Sequence, residues 1–436
     1  MIKKAFTRIP AYSFASGVFA TATFRQSVIT SVGTLINGGL GAIFYIVTAR
    51  YLGPSDFGLM IVAITTLTLV GDIGDLGTNT GIVKFVGKYA SQNLEKAERF
   101  LKLGLKVKLG VICLVLIFGF LGSSDLADLL FSEEGLAAPL KIAFVGVGSY
   151  LLFSFVISSL QAFQKFIQWS LIQIGTNFLR LFIVFLFISL GILGLKNALL
   201  VYTLVPFMGF LVGLNLLSVK FWKVKNEGSI VKDFFAYNKW VALFSIASAI
   251  GARLDTFISA RLLSATDVGI YSAAVQLVQI VPQCVAAIST VVAPRMAGLS
   301  TIGELVKYMK KVQIMVLGIA ILALFFVPFA TQLLPLIYGK AYLGSTTPFL
   351  ILFFGMLVLL ISVPVHMAII YYFSYPKFFF YLSITNMILV GFLGWNLISV
   401  NGTTGAAITV LLGQIFNFIV PLIWVLRKIC TKTKSN

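Results

Sequence analysis

The chain has 436 residues, of which 59% are hydrophobic and only 11% are charged. Soluble domains carry roughly a quarter charged residues, so this composition excludes a water-soluble protein. The formal net charge of +19 would suit a nucleic-acid binder. Basic residues in so apolar a chain usually collect in cytoplasmic loops, however, and we expect no nucleic acid as a partner. A single histidine and three widely spaced cysteines (Cys113, Cys284 and Cys430) predict no metal site, no cofactor and no disulfide framework.

The hydropathy pattern predicts an all-α integral membrane protein. Residues 1–26 have a basic beginning and a short, interrupted apolar run, which we interpret as a retained cytoplasmic segment rather than a signal peptide. A bilayer core needs about 20 mostly apolar residues per helix. On that basis about twelve transmembrane helices are predicted, at 27–49, 57–82, 105–122, 140–161, 169–190, 197–219, 240–262, 269–293, 313–331, 348–371, 379–399 and 405–426.

The basic residues indicate which side of the membrane the loops occupy. Of the 33 Lys and Arg residues, 26 fall on the side of the two termini, five on the opposite side and two inside helices. In this distribution Lys108 belongs to the loop before the third helix. Because Lys and Arg are enriched in cytoplasmic loops, the bias predicts that both termini are cytoplasmic.

A sequence repeat divides the chain in two. The pattern Ala-Arg-x-Leu-x-x-x-Asp-x-Gly at 49–58 recurs 211 residues later at 260–269. A long polar break at 220–239 lies between the sixth and seventh helices. We therefore predict an N-lobe of six helices (27–219), a cytoplasmic linker (220–239), a C-lobe of six helices (240–426) and a cytoplasmic tail (427–436). Two lobes with an even number of helices enter the membrane alike, so an axis along the membrane normal should relate them.

Two charged residues lie near the middle of the seventh helix. An ionised side chain at this depth costs about 2.5–3.5 kcal/mol and usually faces the bundle interior or a water-filled path. Arg253 is a candidate for holding an anionic group of a substrate, and Asp255 for binding a coupling proton or sodium ion. The alternative is that each is paired with a neighbouring helix for structural reasons.

Polar stripes mark two further helices. Gln173, Asn177 and Arg180 follow i, i+4, i+7 spacing on the fifth helix, which places them on one face. Amides bind hydroxyls and Arg binds phosphate through two N–H donors, so a sugar or pyrophosphate path is predicted, with interhelical hydrogen bonding as the alternative. Gln276 and Gln279 form a similar stripe on the eighth helix.

The stretch Gly71–Gly77 has a glycine at every third position and contains Asp72 and Asp75. Such a local break in a helix could expose carbonyls and carboxylates to a coupling cation. The alternative is that both acids pair with Lys84 and Lys88 in the next loop.

Several of these stretches resemble the polysaccharide transport family. They are the Ala-Arg-x-Leu-Gly pattern of 49–58, the Asp-Leu-Gly at 75–77, the Arg-x-Asp of the seventh helix and the Pro-Arg at 294–295. The family comprises Wzx-type O-antigen flippases of the multidrug/oligosaccharidyl-lipid/polysaccharide exporter superfamily. The resemblance implies a MATE-like fold whose two lobes enclose a cationic cavity open alternately to either side. It makes Arg50, Arg253 and Arg261 candidates for the cavity lining and Asp255 a candidate for coupling.

The resemblance also implies a function: translocation of undecaprenyl-pyrophosphate-linked oligosaccharide across the inner membrane of a bacterium. The glycan would be used to make O-antigen of lipopolysaccharide, capsule or exopolysaccharide. Membrane lipids would surround the protein, and the resemblance also suggests a polysaccharide polymerase as a partner. One alternative is a multidrug efflux antiporter of the same superfamily, whose cavity should be acidic and aromatic. Another is a membrane-embedded polymerase or glycosyltransferase, which should carry a long outer loop or an acidic catalytic motif. We predict a transporter without catalytic residues rather than an enzyme.

Overall fold

The protein is helical throughout the part of the chain that the structure, a computed structural model, describes. The described residues are 22–217, 221–225 and 228–434, and no strand occurs among them. The predicted all-α membrane fold is thereby confirmed. The predicted N-terminal segment lies outside the described residues as far as residue 21.

Helices of nine residues or more are numbered α1 to α14. They span Ala22–Gly74 (α1), Thr78–Tyr89 (α2), Leu94–Leu121 (α3), Ala137–Ala162 (α4), Phe166–Ser189 (α5), Leu195–Leu217 (α6), Gly228–Gly251 (α7), Leu254–Leu262 (α8), Ala265–Val278 (α9), Ile280–Ala297 (α10), Ile302–Leu324 (α11), Ala330–Tyr338 (α12), Thr346–Met367 (α13) and Lys377–Lys434 (α14). Short π segments at Ala127–Phe131 and Ala368–Tyr372 complete the main elements.

Two helices are too long for a single crossing of a membrane. Their apolar parts have 46 residues in α1 and 55 in α14, whereas a core of about 30 Å is spanned by about 20 residues. Each contains a glycine with a non-helical backbone, Gly53 (φ 78°) in α1 and Gly402 (φ 56°) in α14. The chain turns sharply at Gly402. This turn brings Gly405 back against the preceding segment, where a Cβ on Gly405 would lie 2.0 Å from the Leu397 carbonyl oxygen.

The number of crossings follows from these breaks. Within the described residues, nine helices are long and apolar enough to cross a membrane, or ten if the bent pair α7 and α8 forms one span. Since α1 and α14 each contain two of the predicted helices, the structure is compatible with twelve crossings. The count of twelve and the cytoplasmic placement of both termini remain predictions.

The seventh predicted helix differs from its prediction in two ways. It begins at Gly228 rather than at 240, so most of the predicted linker is helical. Ile230, Phe234 and Asn238 recur every four residues and are buried, which gives this segment a packing face. The helix is also broken after Gly251, and α7 and α8 meet at an angle of 43°.

The buried side chains fall into clusters that draw mainly on one half of the chain. The largest joins residues between 44 and 205, with a few contributions from 273 and 334–342. A second cluster contains only residues between 258 and 407. The division into an N-lobe and a C-lobe stays a prediction, and these two names are kept below for 27–219 and 240–426.

The lobes contact each other closely at the end of the molecule where α8 meets α9. There α1 and α9 approach at Gly58 and Gly269, and neither position has room for a side chain. Close by, the Tyr342 hydroxyl donates a hydrogen bond to the Ala49 carbonyl (2.7 Å). Hydrogen bonds and close backbone contact therefore hold the lobes together at this end, which is the side predicted to lie opposite the termini.

Candidate functional site

An ion pair joins the two lobes in the membrane-spanning region. Arg253 Nη2 lies 2.7 Å from Asp72 Oδ2, and Arg253 Nε donates to Thr68 Oγ1 (3.2 Å). The Tyr150 hydroxyl donates to the other oxygen of Asp72 (2.6 Å). The side chains of Arg253 and Asp72 are 22% and 32% exposed, so the pair is accessible to a molecule between the lobes.

The broken helix determines where the arginine lies. Arg253 has a non-helical backbone (φ −126°, ψ 2°) and forms the N-cap of α8. Its Nη1 donates back to the Ala249 carbonyl (3.1 Å), which anchors the guanidinium to the last turn of α7. A movement that changes the bend between α7 and α8 must therefore also move the cation relative to Asp72.

A second polar network lies at the predicted break between α1 and α2. The break is found there, with Leu76 (φ 49°) and Gly77 (φ 73°) in left-handed conformations. Asp75 accepts hydrogen bonds from Lys108 Nζ (2.5 Å) and Thr78 Oγ1 (2.9 Å). Lys108 also donates to Ser154 Oγ (3.1 Å). The cationic partners of Asp72 and Asp75 are thus Arg253 and Lys108, rather than the loop lysines of the alternative.

The prediction that Lys108 is a loop residue is wrong. It lies within α3 and its side chain is fully buried. The missed signal is the spacing of Ala97, Leu101, Gly104 and Lys108, which follows i, i+4, i+7, i+11 along one buried face. The lysine occupies the inward stripe of its helix.

The predicted stripe of the fifth helix faces α1 within the N-lobe. Asn177 Nδ2 donates to Asn37 Oδ1 (2.6 Å), and Arg180 Nη1 donates to Asn177 Oδ1 (2.8 Å). The Arg180 guanidinium lies over the ring of Tyr202, 4.2 Å from its centroid. Arg180 Nε is buried and has no hydrogen-bond partner in the described part of the chain. Gln173, one turn earlier, donates to its own helix at the Trp169 carbonyl (3.3 Å).

Open space lies beside this stripe. On α1, a Cβ added to Gly41, one turn after Asn37 on the same face, would meet no atom within 4 Å. Amides, an arginine and aromatic rings beside open space form a surface that can bind a polar, hydroxyl-rich molecule. Asn37 and Tyr202 belong to this surface, and the sequence analysis missed both.

The carboxyl group of Asp255 is half-buried and lies within the C-lobe. It lies in the first turn of α8 and accepts a hydrogen bond from the buried Tyr271 hydroxyl (2.5 Å). No salt bridge to Asp255 is found among the described residues. A carboxyl with a neutral partner in a mostly apolar site can exchange a proton or bind a cation with little rearrangement.

Arg50 and Arg261 lie at the end of the molecule where the lobes touch. Arg50 Nη1 donates to the Leu336 carbonyl (3.0 Å) at the end of α12, and Arg261 donates to the Ser132 hydroxyl in the other lobe. Both arginines are exposed. Each therefore reaches from its own lobe to the opposite lobe, Arg50 to the end of helix α12 and Arg261 to Ser132. Their predicted role in lining a central cavity remains a prediction.

The remaining candidates of the eighth predicted helix lie next to a helix break. Gln276 is half-buried near the end of α9, and Gln279 is exposed at the joint between α9 and α10. Within 22–217, 221–225 and 228–434, no group of three or more His, Cys, Asp or Glu residues could hold a metal ion.

The fold and the charged network together define a multi-pass helical membrane protein with a polar, partly open interior. A family model described as "Polysaccharide biosynthesis protein" matches residues 24–300, which is more than half of the chain. The chain therefore belongs to this family, which confirms the family predicted from the sequence. No curated protein sequence matches the chain.

Several solved structures share the fold at low sequence identity. A multidrug resistance MATE family transporter of the MOP superfamily, in an inward-facing conformation, matches with a TM-score of 0.75 and 14% identity over 91% of this chain and 95% of that chain. The lipid II flippase MurJ in an inward closed conformation matches with a TM-score of 0.76 and 15% identity, over 91% of this chain and 87% of that chain. An outward-facing MATE family transporter of the MOP superfamily matches with a TM-score of 0.60 and 14% identity, over 93% of this chain and 96% of that chain.

Proposed function

We propose that the protein is a flippase that moves undecaprenyl-pyrophosphate-linked oligosaccharide across the cytoplasmic membrane of a bacterium. The oligosaccharide would serve O-antigen, capsule or exopolysaccharide synthesis, and a polysaccharide polymerase would be the partner that uses it. Family membership supports the link to polysaccharide, and the shared fold supports transport. A sugar pyrophosphate cannot cross hydrocarbon unaided, because unpaired polar groups are costly there.

The observation that carries this proposal is the ion pair between Arg253 and Asp72. A guanidinium binds a phosphate with the same forked geometry as a carboxylate. A pyrophosphate entering between the lobes can therefore replace Asp72 on Arg253 without leaving the cation unpaired. This exchange would separate the lobes at the site, because Asp72 and Arg253 belong to opposite lobes.

The stripe at Arg180 supplies a second contact for the head group. Asn177 and Arg180 lie next to the open space along α1, where hydroxyls of a sugar could replace the hydrogen bond to Asn37. The ring of Tyr202 under Arg180 offers an apolar face for a sugar ring. Gln276 and Gln279 are the corresponding candidates in the C-lobe.

Three acids are proposed to couple transport to a proton or a sodium ion. Asp255 is the strongest of them, because its partner is neutral and the bend beside it carries Arg253. Asp72 and Asp75 are held by cations in this conformation and become candidates when those ion pairs open. We propose no catalytic residue.

The test is translocation of a radiolabelled prenyl-pyrophosphate oligosaccharide in proteoliposomes. Wild type is compared with Arg253→Gln, Asp72→Asn and Asp255→Asn, and with Asp267→Asn as a matched control. Ser264 caps α9 by accepting a hydrogen bond from the Asp267 backbone N–H, and Asp267 lies outside the charged network. Folding of each variant is checked by its elution as a single species from size exclusion.

We expect wild type and Asp267→Asn to translocate the lipid and Arg253→Gln to lose at least about tenfold in rate, since a charged hydrogen bond contributes about 1.5–3 kcal/mol. Export of a cationic dye along a proton gradient, without movement of the glycan lipid, would show a multidrug antiporter instead. Elongation of the glycan by the purified protein would show an enzyme.

A further inference from the structure

The C-lobe contains an apolar groove of about 470 Å³ that the charged network does not use. Its walls are α10, the end of α11, α12 and α13, together with Leu277 of α9. Every lining residue is aliphatic or aromatic except Cys284. Such a groove has no polar group with which to bind a sugar, a drug cation or an ion.

The groove runs along the membrane-spanning part of the lobe. Its lining residues on α13 extend from Phe349 to Leu360, a distance of about 16 Å at 1.5 Å per residue, or about half of a hydrocarbon core. Ile280, Leu322 and Phe326 lie on its edges and are 68%, 65% and 65% exposed. Because exposed apolar residues in a membrane-spanning region are expected to face lipid, we expect the groove to open sideways into the bilayer.

One end of the groove carries positive charge. Ile337 lines that end, and Arg50 Nη1 lies 3.4 Å from the Ile337 carbonyl oxygen and 3.0 Å from that of Leu336. Arg50 is exposed, and its guanidinium has five N–H donors, so most of them remain for another acceptor. Lys340, also exposed, follows three residues after Ile337. An apolar groove with cations at its mouth is complementary to a hydrocarbon chain that ends in a phosphate.

We propose that this groove binds the prenyl chain of the lipid-linked oligosaccharide, with Arg50 next to its phosphate. The inference rests on the proposed function and adds to it a binding site for the lipid part of the substrate. A single groove with one cationic mouth fits a lipid that has one chain per phosphate. A phospholipid has two chains, and one of them would remain outside.

The position of the site indicates when it is used. Arg50 lies at the end of the molecule where the lobes touch, which is predicted to be opposite the termini. The groove therefore holds the chain in the leaflet that receives the head group, while the polar site between the lobes is empty or closing.

Cys284 reports directly on occupancy, because it is exposed and lines the groove. The test uses the full chain in proteoliposomes, with Cys113→Ser and Cys430→Ser so that Cys284 is the only thiol. Its labelling rate by an apolar maleimide is measured with polyprenyl phosphate, with polyprenol of the same length, or with phosphatidylglycerol. A matched variant keeps only Cys113, which is exposed on α3 and does not line the groove.

We expect polyprenyl phosphate at about ten times its Kd to slow labelling of Cys284 about tenfold and to leave Cys113 unaffected. Arg50→Gln should raise the concentration needed for protection about tenfold. Arg427→Gln is the control for the arginine, because Arg427 is exposed, does not line the groove and should leave the protection unchanged. In wild type, polyprenol should protect Cys284 less than polyprenyl phosphate does. In Arg50→Gln, the two lipids should protect Cys284 equally.

Equal protection by phosphatidylglycerol, or no protection by polyprenyl phosphate, would overturn the proposal. The two proposals fail differently. Translocation of the glycan lipid without any protection of Cys284 would contradict the groove proposal and leave the flippase proposal standing. Absence of translocation would contradict the flippase proposal and, with it, the identification of the bound chain as part of the substrate.

Discussion

Gly58 and Gly269 occupy equivalent places in the two lobes and pack reciprocally against each other's helices. A Cβ on Gly58 would lie 1.9 Å from the Ala265 carbonyl oxygen, and a Cβ on Gly269 would lie 1.9 Å from the Pro54 carbonyl oxygen. The two glycines are 211 residues apart, and so are Pro54 and Ala265. Each contact is therefore the copy of the other under the repeat.

This reciprocity places a pseudo-two-fold axis between the two glycines. Arg50 and Arg261 extend the same symmetry, since they are also 211 residues apart and each donates a hydrogen bond to the opposite lobe. A contact built from bare backbone has no side chain that could compress or rotate away. We therefore expect the interface at this end to be either fully closed or separated, as a gate between two states requires.

Gly58→Ala is expected to open this end of the molecule. A Cβ at this position overpacks the contact, which costs about 1–3 kcal/mol and shifts the balance between closed and open states about 5- to 150-fold. Spin labels at Ser55→Cys and Thr266→Cys, which are exposed and repeat-related, measure the separation by double electron–electron resonance in a background with the native cysteines replaced. The distance distribution should move to longer values.

Gly110→Ala is the matched control, because a Cβ there meets no atom within 4 Å. It should leave the distribution unchanged. Gly269→Ala should open the gate as Gly58→Ala does. The double variant should destabilise the closed state by less than the sum of the two single variants, since both changes break the same contact. A closed distribution in Gly58→Ala would show that the backbone adjusts and that this contact does not control the opening.

Much of this arrangement is visible in the sequence, because a repeat and a buried charge each leave a local signal. The 211-residue period identifies Gly58 and Gly269 as equivalent without any structure. Arg180 and Arg253 are conspicuous as charges within apolar runs, and hydrogen bonds at the lobe interior are found for both. These features depend only on composition and spacing within one helix.

The pairings between helices could not be read in the same way. Asp72 and Arg253 are 181 residues apart and meet only because the lobes dock. Lys108 was obscured by the basic residues before it, and its inward stripe becomes clear only when α3 is known to begin at Leu94. No proline lies between Gly228 and Leu262, and a single glycine at the bend, Gly251, is too weak a signal to predict a broken helix from the sequence.

The ion pair between Arg253 and Asp72 should contribute a measurable but moderate stability. Removing one partner of a buried pair costs about 3–5 kcal/mol, and partial exposure of both side chains lowers this to about 1–3 kcal/mol. Arg253→Gln and Asp72→Asn are each expected to lower the free energy of unfolding by that amount, measured by SDS titration in mixed micelles.

The double variant should be no less stable than the worse single variant, because it leaves neither charge unpaired. Tyr150→Phe is the milder companion change, since it removes one hydrogen bond to Asp72 and should cost about 1 kcal/mol. Strictly additive losses in the double variant would mean that Arg253 and Asp72 are not paired in the membrane.

The pair between Lys108 and Asp75 should be more important for stability than the pair between the lobes. Lys108 is 0% exposed and Asp75 is 14% exposed, so either single change leaves a buried charge without its partner. Lys108→Met and Asp75→Asn are each expected to cost about 3–5 kcal/mol. Together they should restore much of that loss, in the same SDS titration.

Lys106→Met is the control for Lys108, because Lys106 is exposed on the same helix. It should change the free energy of unfolding by less than about 0.5 kcal/mol. If the double variant translocates the glycan lipid at the wild-type rate, the network is structural. If it refolds to wild-type stability but transports nothing, Asp75 takes part in coupling.

Asp255 should determine whether an ion gradient drives transport. Its carboxyl group accepts a hydrogen bond from the Tyr271 hydroxyl, so Asp255→Asn can keep this hydrogen bond while abolishing the exchange of a proton or a bound cation. We expect Asp255→Asn to equilibrate the glycan lipid between leaflets at a rate that no longer responds to an imposed proton or sodium gradient. Tyr271→Phe should retain the response, since it leaves the carboxyl in place.

The measurement is glycan accessibility to an added glycosidase in proteoliposomes with and without each gradient. A gradient response that survives in Asp255→Asn would assign coupling to Asp72 or Asp75, and one that is missing in wild type would show transport without coupling.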